Sequence, residues 1–142
     1  MHERLGKNPE PDISPRFYNE ASINDWERNM PETTSDLAQK TCTPCRGGVP
    51  PLKGSELQAL AKQLSGWDVV EEHHIVKRYT FPDFVTGLRF VDRIGALAEE
   101  QGHHPDILLA WGRVEITLWT HAVSGLTESD FILAAKIDKL PR

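Results

Sequence analysis

Residues 107–119, ILLAWGRVEITLW, decide the fold class of this 142-residue chain. Residues 107–111 form a continuous apolar run that suits a buried strand, and Gly112-Arg113 supplies a turn. Beyond the turn, every second residue is a large aliphatic one, at Val114, Ile116 and Leu118. This two-residue period indicates a strand with one buried face. The stretch therefore predicts a β-hairpin, the unit from which antiparallel sheets are built.

The segments on either side of this hairpin predict further helices and strands. In chain order, they are a helix at 55–66, strands at 67–71 and 75–81, a helix at 83–101 and, after the hairpin, a helix at 128–139. The predicted fold class is α+β: an α-β-β-α-β-β-α two-layer sandwich with a four-stranded antiparallel sheet and helices on one face. The last helix is apolar almost all round, which predicts that it buries a second face against another subunit.

Residues 1–49 differ in composition from the rest of the chain. They are polar and rich in proline, without a sustained period, and predict a partly disordered N-terminal extension. Residues 50–142 are predicted to form the folded domain. The extension contains both cysteines, Cys42 and Cys45. A structural zinc site needs four ligands, and a thioredoxin-like motif needs a flanking strand and helix, so we interpret the pair as structural or incidental.

Composition and charge argue against several classes of protein. The formal net charge of −5 is unfavourable for a nucleic-acid-binding protein, which usually carries a basic face. No apolar run approaches the ~18 residues that a membrane-spanning helix requires, so no membrane partner is predicted. The first residues lack the apolar core of a secretory signal. The sequence therefore predicts a cytoplasmic protein.

Three of the six histidines are predicted to meet at one end of the sheet. His103-His104 stands where the long helix ends at Gly102 and the hairpin begins, and His121 ends the return strand. Because the hairpin turns near Gly112, its two open ends should lie side by side, which brings the three imidazoles together. The pair His73-His74 falls at a predicted turn among polar residues, and we expect it to be solvated.

Convergent histidines suit proton transfer. An imidazole has an unperturbed pKa of about 6.5, so one ring can donate a proton while another accepts one near neutral pH. A dehydration needs both, because a hydroxyl leaves poorly unless it is protonated and a neighbouring N–H or C–H must lose its proton. Two other interpretations stay open: hydrogen-bonded surface histidines, and a three-histidine zinc site. Against zinc, two of the histidines are adjacent, and no His-x-His or His-Glu-x-x-His motif is present.

Two acids near these histidines have ordinary structural explanations. Asp130 fits a helix start of the capping-box type within Thr127-Glu128-Ser129-Asp130. Glu99 lies near the end of its helix, where an acid opposes the helix dipole and needs a compensating partner.

The spacing of these residues resembles the signature of the pterin-4a-carbinolamine dehydratase family. The matching string is Glu99-Glu100-Gln101-Gly102-His103-His104-Pro105, then Trp111, Thr120-His121 and Gly125-Leu126-Thr127-Glu128-Ser129-Asp130. The resemblance extends over about residues 51–141 and implies the same α+β fold. It implies that the catalytic residues are His103, His104, His121 and Asp130. It also implies that the substrate contacts are Glu99, Gly102, Trp67, Trp119 and Thr120.

The same resemblance implies a function. It is a hydro-lyase activity that converts 4a-hydroxytetrahydrobiopterin into quinonoid 6,7-dihydrobiopterin and water, and so recycles the tetrahydropterin cofactor. The resemblance implies no metal and no cofactor, a pterin as small-molecule partner, a homodimer or homotetramer, and functional coupling to an aromatic amino-acid hydroxylase. The alternative is a non-catalytic pterin-binding or regulatory dimerisation protein on the same fold. Ala122 and Trp119 stand where an acid and a small polar residue are common in the family, which concerns substrate preference and rate.

Overall fold

The computed structural model describes residues 35–43 and 49–142. Its elements, in chain order, are α1 Ser35–Gln39, α2 Gly54–Ala61, β1 Asp68–Val70, β2 His74–Thr80, α3 Phe84–Gln101, β3 Asp106–Ala110, β4 Arg113–Leu118, a 3₁₀ turn at His121–Val123 and α4 Glu128–Asp138. This order confirms the predicted α+β class. Most of the predicted extension, including Cys45, lies outside the described residues. None of the described helices combines the length and the apolar character needed to cross a membrane.

The four strands form one antiparallel sheet in the order β1-β2-β4-β3. The hairpin predicted from residues 107–119 is present, with Ile107 opposite Ile116. Strand β2 pairs with the other edge of β4 and places Ile75 opposite Leu118, so β4 is central. Burial alternates along β4, and the residues of its buried face belong to the hydrophobic core that the described helices share. The helices therefore cover one face of the sheet.

Helix α3 begins at a side-chain cap. One carboxylate oxygen of Asp83 accepts hydrogen bonds from the backbone N–H of Thr86 at 2.8 Å and from its hydroxyl at 2.6 Å. These bonds hold the pKa of the Asp83 carboxyl below its ordinary value. Phe90 and Ile94, one turn apart, are fully buried. The helix is thus anchored at its start and through its middle, which fixes where its last turn lies.

Helix α4 is covered within the single chain, so the prediction that its second apolar face needs another subunit is wrong. Its apolar residues are at most 3% exposed: Phe131, Ile132, Leu133, Ala134, Ala135 and Ile137. Helix α1 packs against it, with Leu37 in the same core. Lys136 Nζ also donates to the Ala38 carbonyl at 2.9 Å. The oligomeric state stays a prediction from the family resemblance alone.

Residues 35–43, here called the strap, belong to the same compact unit as the sheet. The Cys42 N–H donates to Gln101 Oε1 at 3.2 Å, and the buried Cys42 Sγ lies 3.5 Å from the Ser129 carbonyl oxygen. The Thr43 N–H donates to Ser129 Oγ, and the Thr43 carbonyl accepts from the same hydroxyl, both at 3.3 Å. The strap therefore ties the last residue of α3 to the first turn of α4. The division of the chain at residue 49 stays a prediction.

Candidate active site

The end of helix α3 sets the direction of the two adjacent histidines. Gly102 has a left-handed backbone, with φ of 62°, and its N–H donates to the Glu99 carbonyl at 3.3 Å. The His103 N–H donates to the Ala98 carbonyl at 3.2 Å. These two bonds form a Schellman ending, which reverses the chain at the glycine. As a result His103 points inward and is 7% exposed, whereas the His104 side chain is 60% exposed.

His103 is held by a buried carboxylate. Its Nε2 lies 2.6 Å from Asp130 Oδ1, and Asp130 is fully buried. The other carboxylate oxygen, Oδ2, accepts from the Thr120 hydroxyl and from the Thr127 N–H, each at 2.9 Å. Burial of a carboxylate is costly unless hydrogen bonds satisfy it, and here three donors do so. An imidazole that donates to such a carboxylate has a fixed tautomer and orientation.

Asp130 both caps helix α4 and contacts His103. It occupies the third position of α4 and completes a capping box with Thr127. Because the same carboxylate also binds His103, the start of α4 and the end of α3 meet at this one side chain. The capping bond to Oδ2 thus fixes the position of the carboxylate, and Oδ1 orients the His103 ring.

His104 is paired with Glu99 on the surface. Its Nε2 lies 2.7 Å from Glu99 Oε1, and the Glu99 side chain is 79% exposed. An acid in the last turn of a helix opposes the dipole, and this pairing supplies the compensating partner. Solvent screens such an exposed pair, so the contact orients the His104 ring more than it stabilises the fold.

His121 lies in the 3₁₀ turn and stacks on Trp119. The two ring centroids are 3.8 Å apart and the ring planes are tilted by 32°. The indole N–H of Trp119 points toward Asp106 Oδ2 at 3.3 Å. An open pocket of about 310 Å³ lies between these groups, and its lining residues are Gly102, His103, His104, Pro105, Asp106, Trp119, Thr120, His121 and Ala122. The pocket therefore brings together the three predicted histidines, as well as Gly102, Trp119 and Thr120.

Trp67 does not line this pocket. Its indole N–H donates to Asp138 Oδ2 at 2.9 Å, at the opposite end of α4 from Asp130. The other oxygen of Asp138 accepts from Lys77 Nζ at 2.7 Å and from the Tyr79 hydroxyl at 2.5 Å. Burial, followed by this hydrogen bond to Asp138, raises the pKa of Tyr79 above its ordinary value. Within one chain, Trp67 belongs to a separate polar cluster that locks the end of α4 to β2.

Asp106 and His73 lie at or near the pocket, and neither was predicted as part of it. Asp106 is a lining residue, and its position directly after His103-His104-Pro105 was the available signal. His73 was expected to be solvated, but its ring centroid lies 4.6 Å from that of Trp119. The pairing of Ile75 with Leu118 produces this contact, and a single sequence does not reveal which strands pair over such a distance.

The three imidazoles approach one pocket with three different supports: a buried carboxylate, an exposed carboxylate and an aromatic ring. Imidazoles that face the same bound molecule can deliver a proton at one of its atoms and remove one at another. Within residues 35–43 and 49–142, no three His, Cys, Asp or Glu side chains are grouped as metal ligands.

Comparisons with known proteins point to one family. A family model described as "Pterin 4 alpha carbinolamine dehydratase" matches residues 50–140. A protein of Rubrobacter xylanophilus named "Putative pterin-4-alpha-carbinolamine dehydratase" is 61% identical over 106 residues, which cover 75% of this chain and 99% of that protein. A protein of the same name from Alkaliphilus metalliredigens is 48% identical over 106 residues, covering 74% of this chain and 96% of its own length.

A solved structure is similar as well. It is the crystal structure of a "transcriptional coactivator/pterin dehydratase" from Brucella melitensis, with a TM-score of 0.59 and 35% sequence identity. The similarity covers 62% of this chain and 95% of that chain.

Proposed function

The chain belongs to the pterin 4 alpha carbinolamine dehydratase family, and from this premise we propose that it dehydrates 4a-hydroxytetrahydrobiopterin by histidine general acid–base catalysis. The products are quinonoid 6,7-dihydrobiopterin and water, so the reaction recycles a tetrahydropterin cofactor. The observation that carries the proposal is the meeting of His103, His104 and His121 at one pocket.

The proposed reaction transfers two protons: one to the leaving hydroxyl oxygen and one from N5. The bond between C4a and its hydroxyl oxygen breaks, and the leaving hydroxide takes a proton from an acid to become water. The neighbouring N5–H gives its proton to a base, and the released electron pair forms the C4a=N5 double bond. The protein therefore needs an acid and a base that face the substrate together, and imidazoles near neutral pH can fill both roles.

The three histidines have different partners, and this suits different roles in the reaction. Two imidazoles serve as acid and base, and the third holds the pterin ring. Asp130 orients His103 through the 2.6 Å contact, and Glu99 orients His104 through the 2.7 Å contact. Neither carboxylate lines the pocket, so both act through the ring that they hold.

The direct test is the rate at which quinonoid dihydropterin forms from 4a-hydroxytetrahydropterin that a hydroxylase generates in the same solution. We expect the protein to accelerate this step. We expect the same acceleration from protein that was treated with a chelator and then freed of it before the assay. If folded protein gives no acceleration, the proposal is wrong and the regulatory alternative takes its place. Acceleration that disappears after this treatment would contradict a mechanism by histidines alone.

Gly102→Ala is expected to lower both the stability and the rate of this dehydration. An alanine in the left-handed conformation costs about 1–2 kcal/mol, and no atom beyond the adjacent residues lies within 4 Å of the added Cβ, so the cost arises from the local backbone alone. Relaxation of this strain would shift His103 and His104, and misplaced catalytic groups lose about tenfold or more in rate. Thermal unfolding and kcat measure the two effects.

Gly54→Ala is the matched control for Gly102→Ala. Gly54 has nearly the same φ, 59°, and its Cβ would also meet no atom within 4 Å beyond the adjacent residues and the backbone of its own helix. It starts α2 and does not line the pocket. We expect a similar loss of stability with kcat retained. An equal loss of kcat in both variants would show that the Schellman ending has no special role in placing the histidines.

A further inference from the structure

Three aromatic rings form a row beside the pocket. The Trp119 indole lies between two imidazoles, with ring centroids 3.8 Å from His121 and 4.6 Å from His73. The row starts at the β1–β2 turn, crosses the end of β4 and reaches the pocket. It therefore connects His73, which is outside the pocket lining, to one of the three proposed catalytic histidines.

The turn that carries His73 is held in an unfavourable conformation. Glu71 and Glu72 have φ values of 53° and 52°, and the His73 N–H donates to the Val70 carbonyl at 2.9 Å. Two positive φ values in a tight hairpin usually require glycine or asparagine. Glutamates here are strained, and strain of this kind persists where the surrounding contacts fix it. The tight turn keeps the His73 ring against the indole of Trp119, which directly follows strand β4.

The indole is restrained on more than one side. Its N–H donates toward Asp106 Oδ2 at 3.3 Å, and the His73 ring covers it at a tilt of 39°. His121, in contrast, is exposed and sits in a three-residue turn. Among the described residues, Trp119 is its only aromatic ring partner. The orientation of the His121 ring therefore depends on how firmly the indole is held.

We propose that Trp119 is a positioning residue for His121, and that His73 completes the stack, so that the β1–β2 turn contributes to the site. This inference rests on the proposed dehydratase function. An aromatic face attracts a neutral imidazole by stacking and a charged one by cation–π interaction. The indole can therefore hold the His121 ring through both halves of a proton-transfer cycle, whereas the exposed carboxylate at His104 attracts the charged form more strongly.

Replacement of Trp119 by leucine and by phenylalanine tests the inference. Trp119→Leu removes the ring, and we expect kcat for the dehydration to fall about tenfold, as misplacement of a catalytic group predicts. Because Trp119 also lines the pocket, we expect KM to rise in this variant, whereas KM should change little in variants of His73, which lies outside the lining. Trp119→Phe keeps a ring and should retain most of kcat. His73→Leu should give a smaller loss of kcat, and His73→Phe should restore it.

The carbon-bound ring protons of His121 provide a second readout, measured by NMR on the unliganded protein and assigned by their loss in His121→Gln. In the parent protein the indole ring current should displace them, and in Trp119→Leu they should return toward the positions of a free histidine. Trp111→Leu is the matched control, because Trp111 is 74% exposed and does not line the pocket. It should leave both kcat and the His121 signals unchanged.

The two readouts separate the possible failures. Unshifted His121 signals in the parent protein would overturn the stack itself, whatever the activity. Shifted signals together with an unchanged kcat in Trp119→Leu would overturn the positioning role. A parent protein with shifted signals and no dehydratase activity would refute the proposed function and, with it, the catalytic meaning of the stack.

Discussion

A His103→Gln variant is expected to form quinonoid dihydropterin about 10²–10⁴-fold more slowly than the parent protein. The imidazole can exchange a proton near neutral pH, and the glutamine amide cannot. The amide can still donate a hydrogen bond to Asp130 Oδ1, which His103 Nε2 now contacts at 2.6 Å. The substitution therefore removes proton transfer while it leaves the buried carboxylate with a donor.

The rate of His103→Gln should be read together with that of His121→Gln and with the thermal midpoint of each variant. His74→Gln is the comparison variant outside the pocket. Because His74 Nδ1 lies 3.1 Å from His73 Nδ1 in the aromatic stack, the kcat of this variant should fall no more than that of His73→Leu. A loss smaller than tenfold in both His103→Gln and His121→Gln would contradict the catalytic assignment. A midpoint close to the parent's excludes unfolding as the cause of a lower rate.

Asp130→Asn is expected to impair both stability and catalysis. The carboxylate accepts from His103 at one oxygen and from Thr120 and Thr127 at the other. An amide has one oxygen that accepts and one NH₂ group that donates. In either orientation, the NH₂ group replaces a carboxylate oxygen and faces a group that donated to that oxygen. A buried donor left without an acceptor costs about 1–3 kcal/mol. A catalytic imidazole that loses its orienting carboxylate loses about 10²-fold or more in kcat.

Asp138→Asn separates the two effects of Asp130→Asn. Asp138 lies at the other end of α4 and also accepts three hydrogen bonds, from Trp67, Lys77 and Tyr79. Its replacement should lower the free energy of unfolding by a comparable amount while kcat stays near the parent value, since Asp138 does not contact a pocket histidine. If Asp138→Asn lost as much kcat as Asp130→Asn, the rate effect would be a consequence of general destabilisation.

The features that the sequence predicted correctly are those that local patterns determine. The alternation after Gly112 and the turn itself identified the hairpin, since both signals lie within a dozen residues. The glycine and proline that flank the two histidines likewise located the end of α3. The convergence of the histidines followed from the hairpin, because the two open ends of a hairpin are neighbours by construction.

The features that the sequence did not predict depend on contacts between distant residues. Helix α1 has five residues, too few to show a period, and its burial is decided by α4, nearly a hundred positions later. The contact of His73 with Trp119 depends on the pairing of β2 with β4. Trp67 was placed by resemblance at the pocket, but the bond to Asp138 holds it elsewhere. Local composition contains no information on these pairings.

The strap affects where the folded domain should be taken to begin. The family model begins at residue 50, yet Leu37 and Cys42 are buried in the core that the family region shares. A gene shortened to the family region would encode every histidine of the pocket, but its product would expose the apolar side of α4 to water. Exposed patches of this kind promote self-association. The region that the family model matches and the unit that folds as one body thus have different starting points, and any shortened version should retain the residues from Ser35 onward.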